Sequence, residues 1–160
     1  MPQILLVCTA NVCRSPVVAA LLKQRLQEQG YDDWVVKSSG TWATLSRSAS
    51  QYSIELMAER NIDIYNHRAQ MIDESLLRES DLVLCMAEGH VEALQIEFST
   101  YRTKIYTLSE MVGKRYSISD PYGGPRSAYE DMVAEVSQLV DVGFEQIVAL
   151  AKENSRKRAG

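Results

Sequence analysis

An unbroken apolar run, Ile4 to Val7, suits a strand covered on both faces. Small and polar residues then interrupt it in "VCTANVCRSP", after which Val18, Leu21, Leu22 and Leu26 recur at helical spacing until Gly30. Ser15 reads as the cap of that helix and Pro16 as its first turn. A second strand is expected from Trp34 to Ser38, a helix over 48–60 closed near Asn61, and a short helix from Asp73 to Arg78. Asp81 to Met86, "DLVLCM", repeats the buried-strand pattern. His90 to Phe98 reads as helical and Lys104 to Leu108 as a short fourth strand. The glycines and prolines of "SDPYGGP", Ser119 to Pro125, mark a loop. From Tyr129, a 3.6-residue period runs through Met132, Val133, Val136, Leu139, Val140, Phe144, Ile147 and Val148 to about Lys152.

Strands that alternate with helices predict parallel βαβ units. The expected fold class is α/β: a three-layer sandwich, with a four-stranded parallel sheet flanked by helices on both faces. One domain is expected over 1–152. Residues 153–160, with Arg156-Lys157-Arg158, read as a frayed basic tail. Open α/β sheets bind ligands beyond the carboxyl ends of their strands. Cys8 falls at that end of the first strand.

Composition adds exclusions. A net charge of −4 leaves no footprint for nucleic acid. No stretch approaches the roughly 20 apolar residues of a membrane span, and the apolar start lacks a basic leader region. Cys8, Cys13 and Cys85 make an odd, sparse set, which argues against a disulfide framework and for a reducing, cytoplasmic setting.

A loop between a strand and a helix N-terminus turns its backbone N–H groups into one concavity that binds anions, phosphate above all. Thr9, Ala10, Asn11, Val12, Cys13 and Ser15 can line such a cup, so phosphate or sulfate is the expected occupant. Arg14 can add a bidentate fork. Helix N-termini and nearby cations favour a thiolate, the nucleophilic form of cysteine. Cys8 therefore reads as a nucleophile aimed at a bound phosphate. Its leaving group needs an acid, and Asp120, in the Gly-rich loop, is the best candidate. No metal or organic cofactor is required. Cys8 and Cys13 have the wrong spacing for zinc, with no histidine near them in sequence.

"VCTANVCRSP", "SSGT" at 38–41, "NHRA" at 66–69, "DLVLCM" and "DPYGGP" together resemble the low-molecular-weight protein tyrosine phosphatases, in order and separation across essentially the whole chain. The resemblance implies hydrolysis of phosphotyrosine in a protein substrate through a phosphocysteine. Cys8 would be the nucleophile, Arg14 the phosphate and transition-state binder, and Asp120 the general acid and then base. It further implies that Asn11 and Ser15 shape the cup, that Ser39 and His67 hydrogen-bond Asn11, and that Cys13 can form a reversible disulfide with Cys8. Trp42 and Tyr122 are expected as walls of the substrate slot, whereas His90 reads as an ordinary surface or core histidine. Ala87 stands where many relatives carry Asp.

The "DPYGGP" stretch looks more like the bacterial branch that includes protein arginine phosphatases. That branch typically has Thr before the second cysteine. Here the residue is Val12, which packs an aromatic ring but offers nothing to a guanidinium. Phosphotyrosine is thus the expected substrate, with phosphoarginine the alternative. An arsenate reductase would need a further relay thiol beside Cys85. A non-catalytic phosphopeptide module would keep the anion nest but need not keep both Cys8 and Asp120.

Overall fold

The structure, a computed structural model, describes residues 1–160. Four parallel strands, β1 (Gln3–Cys8), β2 (Val35–Gly40), β3 (Leu82–Cys85) and β4 (Ile105–Thr107), pair in the order β2-β1-β3-β4. Five α-helices accompany them: α1 (Arg14–Glu28), α2 (Gln51–Ala58), α3 (Glu74–Glu79), α4 (Glu88–Glu97) and α5 (Arg126–Ala159).

Strand alternation divides the core into two layers. Ile4, Leu6 and Cys8 of β1, with Leu82 and Leu84 of β3, pack in one cluster with Val17 and Leu22 of α1, Met57 of α2, and Val136 and Ile147 of α5. Leu5, Val7, Val83 and Cys85 face the other way, with Leu77 of α3 and Val91 and Leu94 of α4. This is the expected three-layer sandwich. Burying a leucine contributes about 1.5–3 kcal/mol, and Leu5 and Leu6 are fully buried on opposite faces of one strand. The chain leaves β1 toward β2 on one side and later returns to β3 on the other. The carboxyl end of β1 is therefore a topological switch point, where the sheet opens into a crevice.

Helix boundaries refine the sequence reading. α1 ends in a Schellman motif: the Gly30 N–H donates to the Gln27 carbonyl (3.1 Å) and the Tyr31 N–H to the Leu26 carbonyl (2.8 Å). Gly30 takes the positive φ of 85° which that motif requires. At the other end, Ser15 is not the cap. α1 begins at Arg14, and its cap position, Cys13, makes no side-chain capping bond. The Ser15 hydroxyl is used elsewhere, as described below.

The C-terminus departs from expectation. α5 continues to Ala159 instead of ending near Lys152. The Asp81 carboxylate is fully buried and accepts from Arg158 Nε (2.7 Å), Arg158 Nη2 (3.2 Å) and the Gln3 N–H (2.8 Å). Asn154 Nδ2 donates to the Asp81 carbonyl at 2.8 Å. A buried carboxylate needs such partners, so the segment expected to fray is instead a helical end pinned to the start of β3.

Candidate active site

The loop from Thr9 to Cys13 turns out of β1 and into α1. Asn11 sits at its apex with φ 60°, a left-handed conformation that asparagine tolerates better than most residues. Every polar group of Asn11 is engaged. Its backbone N–H points at Cys8 Sγ (3.3 Å). Its side-chain amide donates to Ser15 Oγ (2.8 Å) and Ser38 Oγ (2.9 Å), and Oδ1 accepts from the Gln70 N–H (3.0 Å). The Asn11 carbonyl accepts from His67 Nε2 at 2.7 Å. Burial pushes the His67 pKa below its ordinary value. One buried residue thus ties the loop to β2, to the 66–70 segment and to α1.

Ser38, not Ser39, makes the β2 contact. In the β1–β2 register Leu6 pairs with Ser38 and Val7 with Ser39. Ser38 therefore shares the face of Leu6, where α1 and the loop lie. Ser39 shares the opposite face, and its buried hydroxyl has no partner. Gly40 follows because a Cβ there would meet the Thr9 carbonyl oxygen at 2.4 Å.

Cys8 is 2% exposed at the floor of the loop. Ser15 Oγ lies 3.0 Å from its sulfur. Because Ser15 Oγ already accepts from Asn11, its own proton is free to point at Sγ. The backbone N–H groups of Ala10, Val12 and Cys13 carry no hydrogen bond within the protein. They lie at the head of α1, where orphan donors and the helix dipole favour an anion.

Arg14 is 4% exposed. Its Nη1 donates to the Ile118 carbonyl (2.8 Å), and Nη2 lies 3.5 Å from Asp120 Oδ2. Its Nε is a buried donor with no protein partner. Asp120 is half-exposed, and its Oδ1 accepts from the Tyr122 N–H at 3.1 Å. Residues more than 100 positions apart in sequence are thereby joined. Cys8, Thr9, Ala10, Val12, Cys13, Arg14, Arg47, Asp120 and Tyr122 line one cavity of about 190 Å³.

Trp42, expected as a wall, does not line this cavity. Trp42 is 81% exposed, and its tie to the loop is a backbone bond from its N–H to the Thr9 carbonyl (2.9 Å). Arg47 holds a place in the wall instead. Its Nη2 donates to Tyr122 Oη at 2.8 Å. The sequence reading did not single out Arg47, which sits in a polar stretch indistinguishable from solvated loop.

His90 also has a larger part than expected. The Ala87 N–H can only donate, so His90 Nδ1 accepts at 3.2 Å and the ring proton sits on Nε2. Nε2 then donates to Thr9 Oγ1 at 2.9 Å. This leaves the Thr9 hydroxyl proton available to the cavity. Burial, reinforced by the Arg14 charge and opposed by Asp120, lowers the His90 pKa to about 4.

Cys13 Sγ lies 3.0 Å from Ser50 Oγ and 3.5 Å from Tyr129 Oη, and burial raises its pKa. Cys85 is fully buried, and burial pushes its pKa up as well. It lies in the α3–α4 layer, on the sheet face opposite Cys8.

The family model for low molecular weight phosphotyrosine protein phosphatase matches residues 3–156. A probable low molecular weight protein-tyrosine-phosphatase, EpsP, of Ralstonia solanacearum is 35% identical over 147 residues, covering 92% of this chain and 97% of that protein. A protein-arginine-phosphatase of Bacillus subtilis is 34% identical over 139 residues, covering 86% of this chain and 91% of its own. Among solved structures, a low molecular weight protein tyrosine phosphatase from T. tengcongensis superposes with a TM-score of 0.86 at 37% identity, covering 91% of this chain and 99% of that one.

Proposed function

The chain belongs to the low molecular weight phosphotyrosine protein phosphatase family, and from that premise we propose that it hydrolyses phosphotyrosine in proteins through a phosphocysteine intermediate. The observation that carries this reading is the shared cavity: Cys8, Arg14 and Asp120 line one small space with Val12 and Tyr122.

In the proposed first step, the Cys8 thiolate attacks phosphorus. The bond from phosphorus to the tyrosyl oxygen breaks, and Asp120 gives that oxygen a proton. In the second, Asp120 takes a proton from water, which attacks the phosphocysteine and frees phosphate and the thiolate. Arg14 and the loop N–H groups hold the non-bridging oxygens throughout, and Arg14 Nε, unpartnered in the protein, has a donor to give them. Ser15 and the Asn11 N–H steady the thiolate as leaving group. Cys8, Arg14 and Asp120 would complete this chemistry between them, so the proposed mechanism calls on no cofactor. Inorganic phosphate or sulfate would compete for the loop.

Val12 supports phosphotyrosine over phosphoarginine. It is among the residues that line the cavity, and its side chain carries no hydrogen-bonding group, so it suits an aromatic ring and would leave a guanidinium's N–H groups unpaired. The arginine-phosphatase reading stays as the second candidate because of the Bacillus subtilis relative. Cytoplasmic residence and redox sensitivity are part of the proposal: all three cysteines are free, and Cys8 and Cys13 line the same cavity.

Turnover of a phosphotyrosine peptide against a phosphoarginine peptide, with Cys8→Ser as the blank, tests the reading. The expected result is preference for phosphotyrosine, no turnover by Cys8→Ser, and a loss of about 10²–10⁴-fold in kcat for Asp120→Ala. Preference for phosphoarginine would overturn the substrate assignment, and full activity of Asp120→Ala would remove Asp120 from the mechanism.

A further inference from the structure

Arg47 is an exposed cation in the wall of the catalytic cavity, and no carboxylate of the protein lies within salt-bridge distance of it. The other arginine there, Arg14, is buried and faces Asp120. Arg47 is oriented by Tyr122 alone: Nη2 donates to Oη, and the guanidinium carbon lies 5.2 Å from the ring centroid. One of its five N–H donors is spent, and the remaining ones are free at the mouth.

Its position is set by backbone. The turn at Ser46 has φ 67°, and its N–H donates to the Ala69 carbonyl at 2.8 Å. The Ala69 N–H returns a bond to the Arg47 carbonyl, also at 2.8 Å. The next residue, Gln70, donates its N–H to Asn11 Oδ1. One short segment thus holds both the phosphate loop and the backbone of Arg47, so the side chain springs from a point tied to the site of chemistry.

We infer that Arg47 is a specificity residue that reads a carboxylate side chain, Asp or Glu, next to the phosphotyrosine in the substrate chain. This rests on the phosphotyrosine reading above. When the phosphoryl group occupies the loop and the ring lies along Val12 and Tyr122, neighbouring substrate residues pass the mouth where Arg47 stands. A carboxylate there gains a partner that the protein does not supply, whereas a lysine or arginine meets like charge. The same cation weighs against phosphoarginine, whose own guanidinium would enter a wall already holding Arg14 and Arg47.

The test is kcat/KM for three phosphotyrosine peptides with Glu, Ala or Lys on both sides of the phosphotyrosine, alongside a phosphoarginine peptide, for the unaltered protein, Arg47→Ala and Arg47→Glu. The Glu peptide is expected to exceed the Ala peptide, and the Ala peptide the Lys peptide, by about 2- to 5-fold per step, the size of a partly exposed ion pair. Arg47→Ala should flatten that order and Arg47→Glu should reverse it. The preference should shrink at high salt, as the screening length falls from about 8 Å at 0.15 M to about 3 Å at 1 M. Equal turnover of all three peptides, or an order that survives Arg47→Glu, would overturn the Arg47 assignment alone. Inert phosphotyrosine peptides beside a rapidly hydrolysed phosphoarginine peptide would overturn the substrate reading beneath it.

Discussion

Asn11 Nδ2 lies 2.9 Å from Ser38 Oγ, whereas the hydroxyl of the next residue, Ser39, is buried with no partner. The two serines therefore respond oppositely to truncation. Ser38→Ala leaves a buried amide proton of Asn11 unpaired and should lower unfolding free energy by about 1–3 kcal/mol. It should also lower kcat, because Asn11 sets the loop's shape. Ser39→Ala removes a hydroxyl that bonds to nothing and should fall within about 0.5 kcal/mol of the parent, or stabilise it. Urea unfolding and phosphotyrosine-peptide kinetics on both variants check this. A larger loss from Ser39→Ala would mean that Ser39, not Ser38, is the serine that supports Asn11.

His90 makes a prediction with a definite sign. Its folded pKa, about 4, lies below the ordinary value of 6.5, so between these values the unfolded chain holds more protons. The stabilising contribution of the neutral ring is whole above pH 6.5 and is lost as pH falls toward 4. Each pH unit separating the two values corresponds to about 1.4 kcal/mol. Protonation also costs the bond in which Nδ1 accepts from the Ala87 N–H. His67 is shifted in the same direction and adds to the same slope. Urea midpoints measured from pH 7.5 to 4.5 should fall less steeply for His90→Asn than for the parent. Parallel curves would mean that the imidazole is not held neutral.

These two cases show what was legible in the sequence and what was not. The strand-loop-helix around Cys8 declares itself locally: an apolar run stops, small residues follow, and Arg14 and Pro16 open a helix. Asp120 was readable as a loop acid, though its approach to Arg14 depends on the fold. The choice between Ser38 and Ser39 turns on a one-residue register, which reverses the face of every side chain and leaves no trace in "KSSGT". His90 and Thr9 are 81 positions apart and meet only because β1 and β3 are neighbours. Residue type suggests Trp42 as a slot wall, but its backbone bond to Thr9 leaves it outside the cavity lining and largely exposed. Arg47, in a run of small polar residues, carried no signal of its own.

Cys13 lines the cavity that holds Cys8, and burial raises its pKa. It should be a poor nucleophile toward substrate at neutral pH, and its place in the same cavity makes it the thiol expected to trap an oxidised Cys8. Peroxide should inactivate the protein, with activity returning on treatment with a thiol reductant. Cys13→Ser should inactivate as readily but recover much less, because a sulfenic acid without a nearby thiol proceeds to irreversible states. Equal recovery by parent and variant would show that Cys13 does not resolve the oxidised sulfur. Cys85, on the far face of the sheet, should alter neither course when changed to Ala.

The final prediction concerns the C-terminus. Arg158 looks dispensable from sequence, one cation in a terminal basic run. In the fold it supplies two bonds, at 2.7 and 3.2 Å, to the fully buried carboxylate of Asp81. Arg158→Ala would leave that charge with the Gln3 N–H at 2.8 Å as its remaining hydrogen-bond donor. The expected cost is about 1–3 kcal/mol, reduced to the extent that water reaches the half-exposed arginine's place. Arg156→Ala, whose side chain pairs with nothing, should change stability by less than about 0.5 kcal/mol. Because Asp81 opens β3 at the end of the strand remote from the loop, kcat should be unaffected at temperatures where Arg158→Ala stays folded. Thermal or urea unfolding of the two variants decides the matter, and equal stability would return residues 153–160 to the frayed tail that their composition suggests.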